Sequence, residues 1–348
     1  CSSDLEFLKR VLGFHKTPPV LVDAALFELN CIICQVVPKY GRRLNKRLWQ
    51  MKNFLFGKGT RDPDMDECEE LSKEIIDKHF VIQVLLAFPK LDFEERKSFT
   101  QVFCTLLNRD HYKFASRYML SREGSDILLC IMNAYGDPSL TMNAGLMLRE
   151  CIRIRCIHDR ILSDDQLIEP LFTKYIYNSN FDISSDAFQT IRELLRTNRQ
   201  LVSVRLKPQG ELCKRIFGWY RILLQSSNYM INRVMIKLLA EFMLDKINFD
   251  IMIAFVADAD NLKLIMNLMC SPYETIQFDA FNVFKIFVAN PDKSRDVETI
   301  LQMNKQAMIA FLATFLPGKN NDENFADEKK YVVSLLNRLE IGRASCRE

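Results

Sequence analysis

The sequence is poor in glycine, with eleven in 348 residues, and no segment alternates apolar with polar side chains around an Asn-Gly turn. β-hairpins are therefore not expected. Long apolar runs are missing too. The largely apolar stretch from Val81 to Phe88, bounded by His79 and Lys90, falls far short of the about 18 residues of a membrane helix, so no membrane span is expected. An excess of one charge is also absent. Lys and Arg number 47 against 44 Asp and Glu, and a formal charge of +3 gives no general attraction to nucleic acid or an anionic membrane. Partner choice must come from local patches. What the chain does have is length and a 48% hydrophobic content, enough to bury a large core. With no secretory leader read at its start, the eleven cysteines are expected to be reduced, packed thiols in a cytoplasmic protein.

The two ends carry expectations of their own. Cys1 stands where a Met would open a complete chain, which reads as a truncation. Ile341 to Glu348 spells IGRASCRE, the translation of one frame of a common sequencing adapter. Residues 341–348 are accordingly expected to be a cloning or assembly artefact, and residues 1–340 a single helical-repeat domain.

Helical periodicity is plain in the remainder. Ala187, Phe188, Ile191, Leu194 and Leu195 share one helical face, and so do Met235, Leu238, Leu239, Phe242 and Met243. Helices of this kind follow short polar turns at Lys90 to Asp92, Gly136 to Ser139, Tyr177 to Asn180, Ser226 to Asn228 and Ser271 to Tyr273. Aligning them sets Phe99, Gly145, Ala187, Met235 and Ala280 in register, at separations of 46, 42, 48 and 45 residues. That period predicts an all-α, armadillo/HEAT-like helical-repeat solenoid, because a unit of two or three helices cannot bury its apolar face alone. Such an array is expected to be curved, with the final helices of successive repeats lining a concave binding face. Lys58 to Met65 and Pro317 to Asn324 are polar enough to be exposed loops.

Motifs that would carry chemistry do not complete themselves. Cys31 and Cys34 form a CxxC pair with no second pair or histidines at zinc spacing, so buried helical thiols are expected. Asp62, Asp64 and Asp66 begin like a calcium loop, but Glu67 stands where its glycine belongs and Lys73 where its bidentate Glu belongs. An acidic helix start is the better reading. Gly57, Lys58, Gly59 and Thr60 hold the letters of a phosphate loop in the wrong order, and an interhelical turn is expected there. His15, His79, His111 and His158 are dispersed, with no Ser or Cys in a nucleophile context beside them. His158, following Arg153 and Arg155, is expected to be solvated. Neither an enzyme nor a cofactor or metal site is predicted.

Four segments resemble the calcium-binding protein 39 family, also called mouse protein twenty-five: Asn143 to Ile152 (NAGLMLRECI), Phe181 to Phe188 (FDISSDAF), Asn261 to Leu268 (NLKLIMNL) and Ile276 to Pro291 (IQFDAFNVFKIFVANP). Weaker similarity runs from about Lys52 through Leu339 and includes LDFEE from Leu91 and FADEKKY from Phe325. The resemblance implies a non-catalytic scaffold that binds and allosterically activates sterile-twenty-type kinases or pseudokinases by holding their active conformation. It implies as partners the sterile-twenty-related adaptor pseudokinase, in complex with the liver tumour-suppressor kinase, and other sterile-twenty-type kinases. It also implies a pocket for the partner's Trp-Glu-Phe tail.

Carried over by position, that resemblance makes Met266 the pocket residue and Phe181, Tyr229, Arg233 and Phe249 contacts on the concave face. Lys246 stands where the family usually has Arg, keeping the charge without the forked hydrogen-bond geometry. The residues read alone leave other roles open. Met266 lies among Leu262, Leu264, Ile265 and Leu268 as a core gap-filler would. Arg233 by itself is a surface charge, and Phe181 suits a hydrophobic staple. Phe278, Phe281, Phe284 and Phe287 are expected to be core that shapes the pocket wall. Ile32, Ile33, Trp49 and the Lys46, Arg47 cluster depart from the family. The alternative reading is therefore an armadillo-like peptide-binding adaptor in cell polarity or cytokinesis, without kinase activation.

Overall fold

The computed structural model describes residues 17–34, 39–57, 62–319 and 322–339. Cys1, His15, Lys58 to Thr60, Asn320, Asn321 and the 341–348 segment lie outside the described residues. Among the described residues all regular structure is helical, with no strand, as the scarcity of glycine and of alternating patterns predicted. Among the described residues, no helix is long and apolar enough to cross a membrane. The chain packs as two compact units that part between Asn198 and Arg199.

The first unit contains α1 (Pro18–Ile33), α2 (Lys39–Phe56), α3 (Met65–Asp77), α4 (Phe80–Ala87), α5 (Phe93–Arg109), α6 (Arg122–Ala134), α7 (Thr141–Arg153), α8 (Arg155–Leu162), α9 (Asp165–Thr173) and α10 (Phe181–Arg196). The repeat-equivalent helices stack in order, α5 on α7 and α7 on α10, and α2 packs on α5. Each start follows from its polar turn. Asp92 and Glu95 form a capping box at α5, the Glu95 carboxylate accepting from the Asp92 amide at 2.7 Å. The Asn180 side chain accepts from the Asp182 and Ile183 amides at 2.9 and 3.3 Å. Thr141 opens α7 by donating its hydroxyl to the carbonyls of Tyr135 and Asp137.

The in-register positions Phe99, Gly145 and Ala187 are all buried. Glycine is required at 145, since a Cβ there would sit 1.9 Å from the Asp186 carboxylate reaching across from α10. That carboxylate accepts from Arg149 at 2.8 Å and from the Tyr135 hydroxyl, while Arg149 also donates to Thr190 at 2.9 Å. A nearly buried ion pair thus ties α7 to α10, and Tyr135, at the C-cap of α6, bonds to the same carboxylate.

Three local expectations resolve here. Asp64 caps α3, accepting from the Asp66 and Glu67 amides, so the alternating carboxylates are an acidic helix start. His158 is not solvated but wholly buried. The backbone turns extended at Ile154, between α7 and α8, and sends His158 inward while Arg153 and Arg155 stay outside. Cys31 and Cys34 are not buried thiols either: Cys31 is half-buried and Cys34, at the C-cap of α1, is exposed where the chain leaves the core.

The second unit contains α11 (Arg199–Arg205), α12 (Glu211–Leu224), α13 (Tyr229–Met243), α14 (Phe249–Val256), α15 (Ala259–Met269), α16 (Glu274–Ala289), α17 (Arg295–Met303), α18 (Lys305–Thr314) and α19 (Glu323–Arg338). Here α13 stacks on α16 and α16 on α19. Asn228 caps α13 as Asn180 caps α10. Met235, Leu238, Leu239, Phe242 and Met243 are all buried, as the periodicity predicted. Phe281 and Phe325 meet edge to face at 5.4 Å, and Phe281 also packs against Phe315, so aromatic contacts join α16 to α19.

Candidate functional site

An apolar pocket in the second unit

Helix α15 buries Leu262, Ile265, Leu268 and Met269. Met266, one position round from Ile265, is only half-buried and turns to the edge of that face. There it borders a cavity of about 320 Å³ with Met269, Phe284, Met308, Phe311 and Leu312. Cys270, Asn304 and Ala307 complete the rim. The volume is at the lower end of the about 300–1,000 Å³ typical of sites for small ligands and side chains. Phe284 is almost wholly buried and forms wall as well as core, as expected from its helix. Phe281 and Phe287 are buried beneath, whereas Phe278 is half-buried with the Lys319 ammonium 4.0 Å above its ring. Three thioethers and two phenyl rings give the cavity a soft, polarisable lining that suits an aromatic guest.

The face of α13 and α16

Tyr229 and Arg233, one turn apart on α13, lie together, with the guanidinium 5.9 Å from the Tyr229 ring centroid. The same ring packs on Tyr273 at 4.4 Å, and its hydroxyl lies 3.4 Å from that of Thr275. Arg233 is exposed and Tyr229 half-buried. Beneath them on α16, burial raises the carboxyl of Asp279 above its usual range, against the lowering pull of Lys237, Arg233 and Lys319. The result is an aromatic and cationic ledge over a partly desolvated acid.

Lys246 and Phe249 are also exposed, but they follow the far end of α13, about 20 Å from Tyr229 at a helical rise of about 1.5 Å per residue. The Asp245 side chain caps the short turn that carries Lys246, accepting from the Ile247 amide at 3.3 Å, and pairs with Arg199 at 2.7 Å. Phe181 belongs to the first unit. It is the first residue of α10 and 69% exposed, so it stands in solvent rather than acting as a staple. Sequence reasoning missed Tyr273 and Asp279 on the ledge and Met308, Phe311 and Leu312 in the pocket. The helix-like spacing of the last three was the only available signal.

Among the described residues, no group of three or more His, Cys, Asp or Glu is placed to hold a metal ion. Burial pushes the Cys104 thiol up to about 12 and that of Cys151 well above its usual value, which is the direction away from nucleophilic reactivity.

Comparison with known proteins

Residues 13–340 match the model of the Mo25-like family. A mouse protein named calcium-binding protein 39-like is 35% identical over 327 residues, covering 93% of this chain and 96% of its own. A Mo25-like protein of Schizosaccharomyces pombe is 34% identical over 340 residues, covering 94% and 99%. Among solved structures, a designed armadillo repeat protein aligns at a TM-score of 0.39 and 12% identity over 77% of this chain and 99% of its own. Similarity to the family along nearly the whole chain supports a scaffold or adaptor role in general. By the extent of both the family match and these alignments, the chain belongs to the Mo25-like family.

Proposed function

We propose that this protein is a cytoplasmic scaffold that binds sterile-twenty-type kinases or pseudokinases and activates them by holding their active conformation. The partner's Trp-Glu-Phe tail occupies the Met266 pocket. Tyr229 and Arg233, with Lys246, Phe249 and Phe181 as further contacts, engage the kinase fold. Because a binder shifts a conformational equilibrium only by its differential affinity, an extended set of contacts made to the active form alone would suffice without chemistry. The sterile-twenty-related adaptor pseudokinase, with the liver tumour-suppressor kinase, is the leading candidate partner.

The observation that carries this reading is the apolar cavity beside Met266, which has the size and lining to take an aromatic side chain. Binding of a peptide ending in Trp-Glu-Phe to the full chain, measured by calorimetry, tests it. Binding is expected to weaken at least about tenfold when both aromatics are replaced by alanine, as for an interface anchored by buried rings. Equal affinity for the two peptides would favour a peptide-binding adaptor in cell polarity or cytokinesis without kinase activation.

A further inference from the structure

The first unit presents a second groove, apart from the Met266 pocket. It runs between α2 and α5 as two adjoining cavities of about 480 and 290 Å³ that share Lys52 and Gln101. On α2 its wall is one helical stripe, Arg42, Lys46, Trp49, Lys52 and Phe56. Trp49 is 59% exposed and Phe56 50%, an unusual degree for two large aromatics 7 residues apart on one face. On α5 the facing wall adds Lys97 and Arg109, so among the described residues five cations line the groove against a single carboxylate, Glu94. Lys52 is held across it by Gln101 at 2.8 Å, and Ser98 donates to Asn45 at 2.6 Å, which fixes the floor.

From this placement we infer that the α2–α5 groove docks an acidic, extended peptide segment carrying at least one aromatic or large aliphatic side chain. Carboxylates would meet the row of cations, and the apolar side chain would cover Trp49 or Phe56. From Arg42 to Phe56 the stripe is about 21 Å long, the span of about six extended residues. A peptide fits better than a nucleic acid. Five cations suit the few carboxylates of a short peptide, whereas nucleic-acid binding draws on an excess of positive charge across a surface. The whole chain also carries only +3.

The test is fluorescence anisotropy with the full chain and a labelled Glu-Asp-Phe-Glu-Asp-Leu hexapeptide. Binding is expected to weaken about tenfold between roughly 0.05 and 0.5 M salt, as screening of exposed charges requires. The double reversal Lys46→Glu, Lys97→Glu and, separately, Trp49→Ala should each weaken it at least about tenfold. Lys330→Glu, a surface charge reversal in the second unit, should leave it unchanged. Circular dichroism of each variant establishes that it is folded. Absence of binding, binding indifferent to the Lys46 and Lys97 reversals, or tighter binding of a single-stranded RNA oligonucleotide or an anionic vesicle would each overturn the inference.

Discussion

The Arg233 guanidinium lies 5.9 Å from the centroid of the Tyr229 ring, and both side chains stand at the open edge of α13. Because Arg233 is exposed, its removal exposes no core, and the half-buried Asp279 keeps Lys237 and Lys319 near it. Arg233→Ala is expected to shift the unfolding free energy by no more than about 0.5 kcal/mol. Its affinity for a sterile-twenty-type kinase should nonetheless fall about tenfold or more in a pull-down titration. Arg233→Lys should recover only part of that affinity, since the ammonium cannot stack and fork as the guanidinium does.

Pocket and core separate by variant. Met266 borders the cavity and is half-buried, so Met266→Ala should weaken tail-peptide binding while leaving unfolding by urea nearly unaltered. Phe284 is nearly wholly buried behind it. Phe284→Ala should instead cost about 3–5 kcal/mol of stability by leaving a void. Equal stability losses for the two would show that Met266 is core and not pocket lining.

The buried ion pair in the first unit gives a stability prediction. Asp186→Ala would leave Arg149 charged and without a carboxylate between α7 and α10, at a cost of about 3–5 kcal/mol. The double change Arg149→Met, Asp186→Leu should return most of that stability, because no unpaired charge remains. Urea unfolding of the three chains distinguishes these outcomes.

His158 makes the stability of the first unit depend on pH. Its Nε2 pairs with the Leu194 carbonyl at 3.0 Å and its Nδ1 with the Asn198 amide at 3.2 Å, an arrangement that suits the neutral ring. Burial lowers its pKa from 6.5 to about 4. The folded state therefore binds fewer protons than the unfolded one between those values. The stability it confers is fully present above about pH 6.5 and is lost as pH falls toward about 4. At pH 4.5 the loss is about 2–3 kcal/mol, from about 1.4 kcal/mol per pKa unit. His158→Gln keeps a donor for Leu194 but does not titrate, so the difference between its unfolding free energy and that of the unchanged chain should vary by that amount between pH 7 and 4.5.

Much of this architecture was legible because the signals are local. The turns ending at Asp92, Asn180 and Asn228 were readable since each supplies the side chain that caps the next helix. The five-residue stripe from Met235 to Met243 was readable because one helix carries all of it. What escaped depended on contacts between distant segments. The far wall of the Met266 pocket comes from α18, some 40 residues on, and nothing in the α15 sequence points to it. His158 was misread because its neighbours Arg153 and Arg155 are exposed, and only the break at Ile154 turns the imidazole inward. Gly145 stood in the repeat register with no visible reason for being glycine until Asp186 was seen to reach over it.

The most direct measurement is the catalytic rate of a purified sterile-twenty-type kinase titrated with the full chain. A saturable rise in activity is expected, one that Met266→Ala and Arg233→Ala each shift to higher scaffold concentration. Kinase activity that stays at its basal level while a pull-down shows the kinase fully bound would contradict activation by this scaffold.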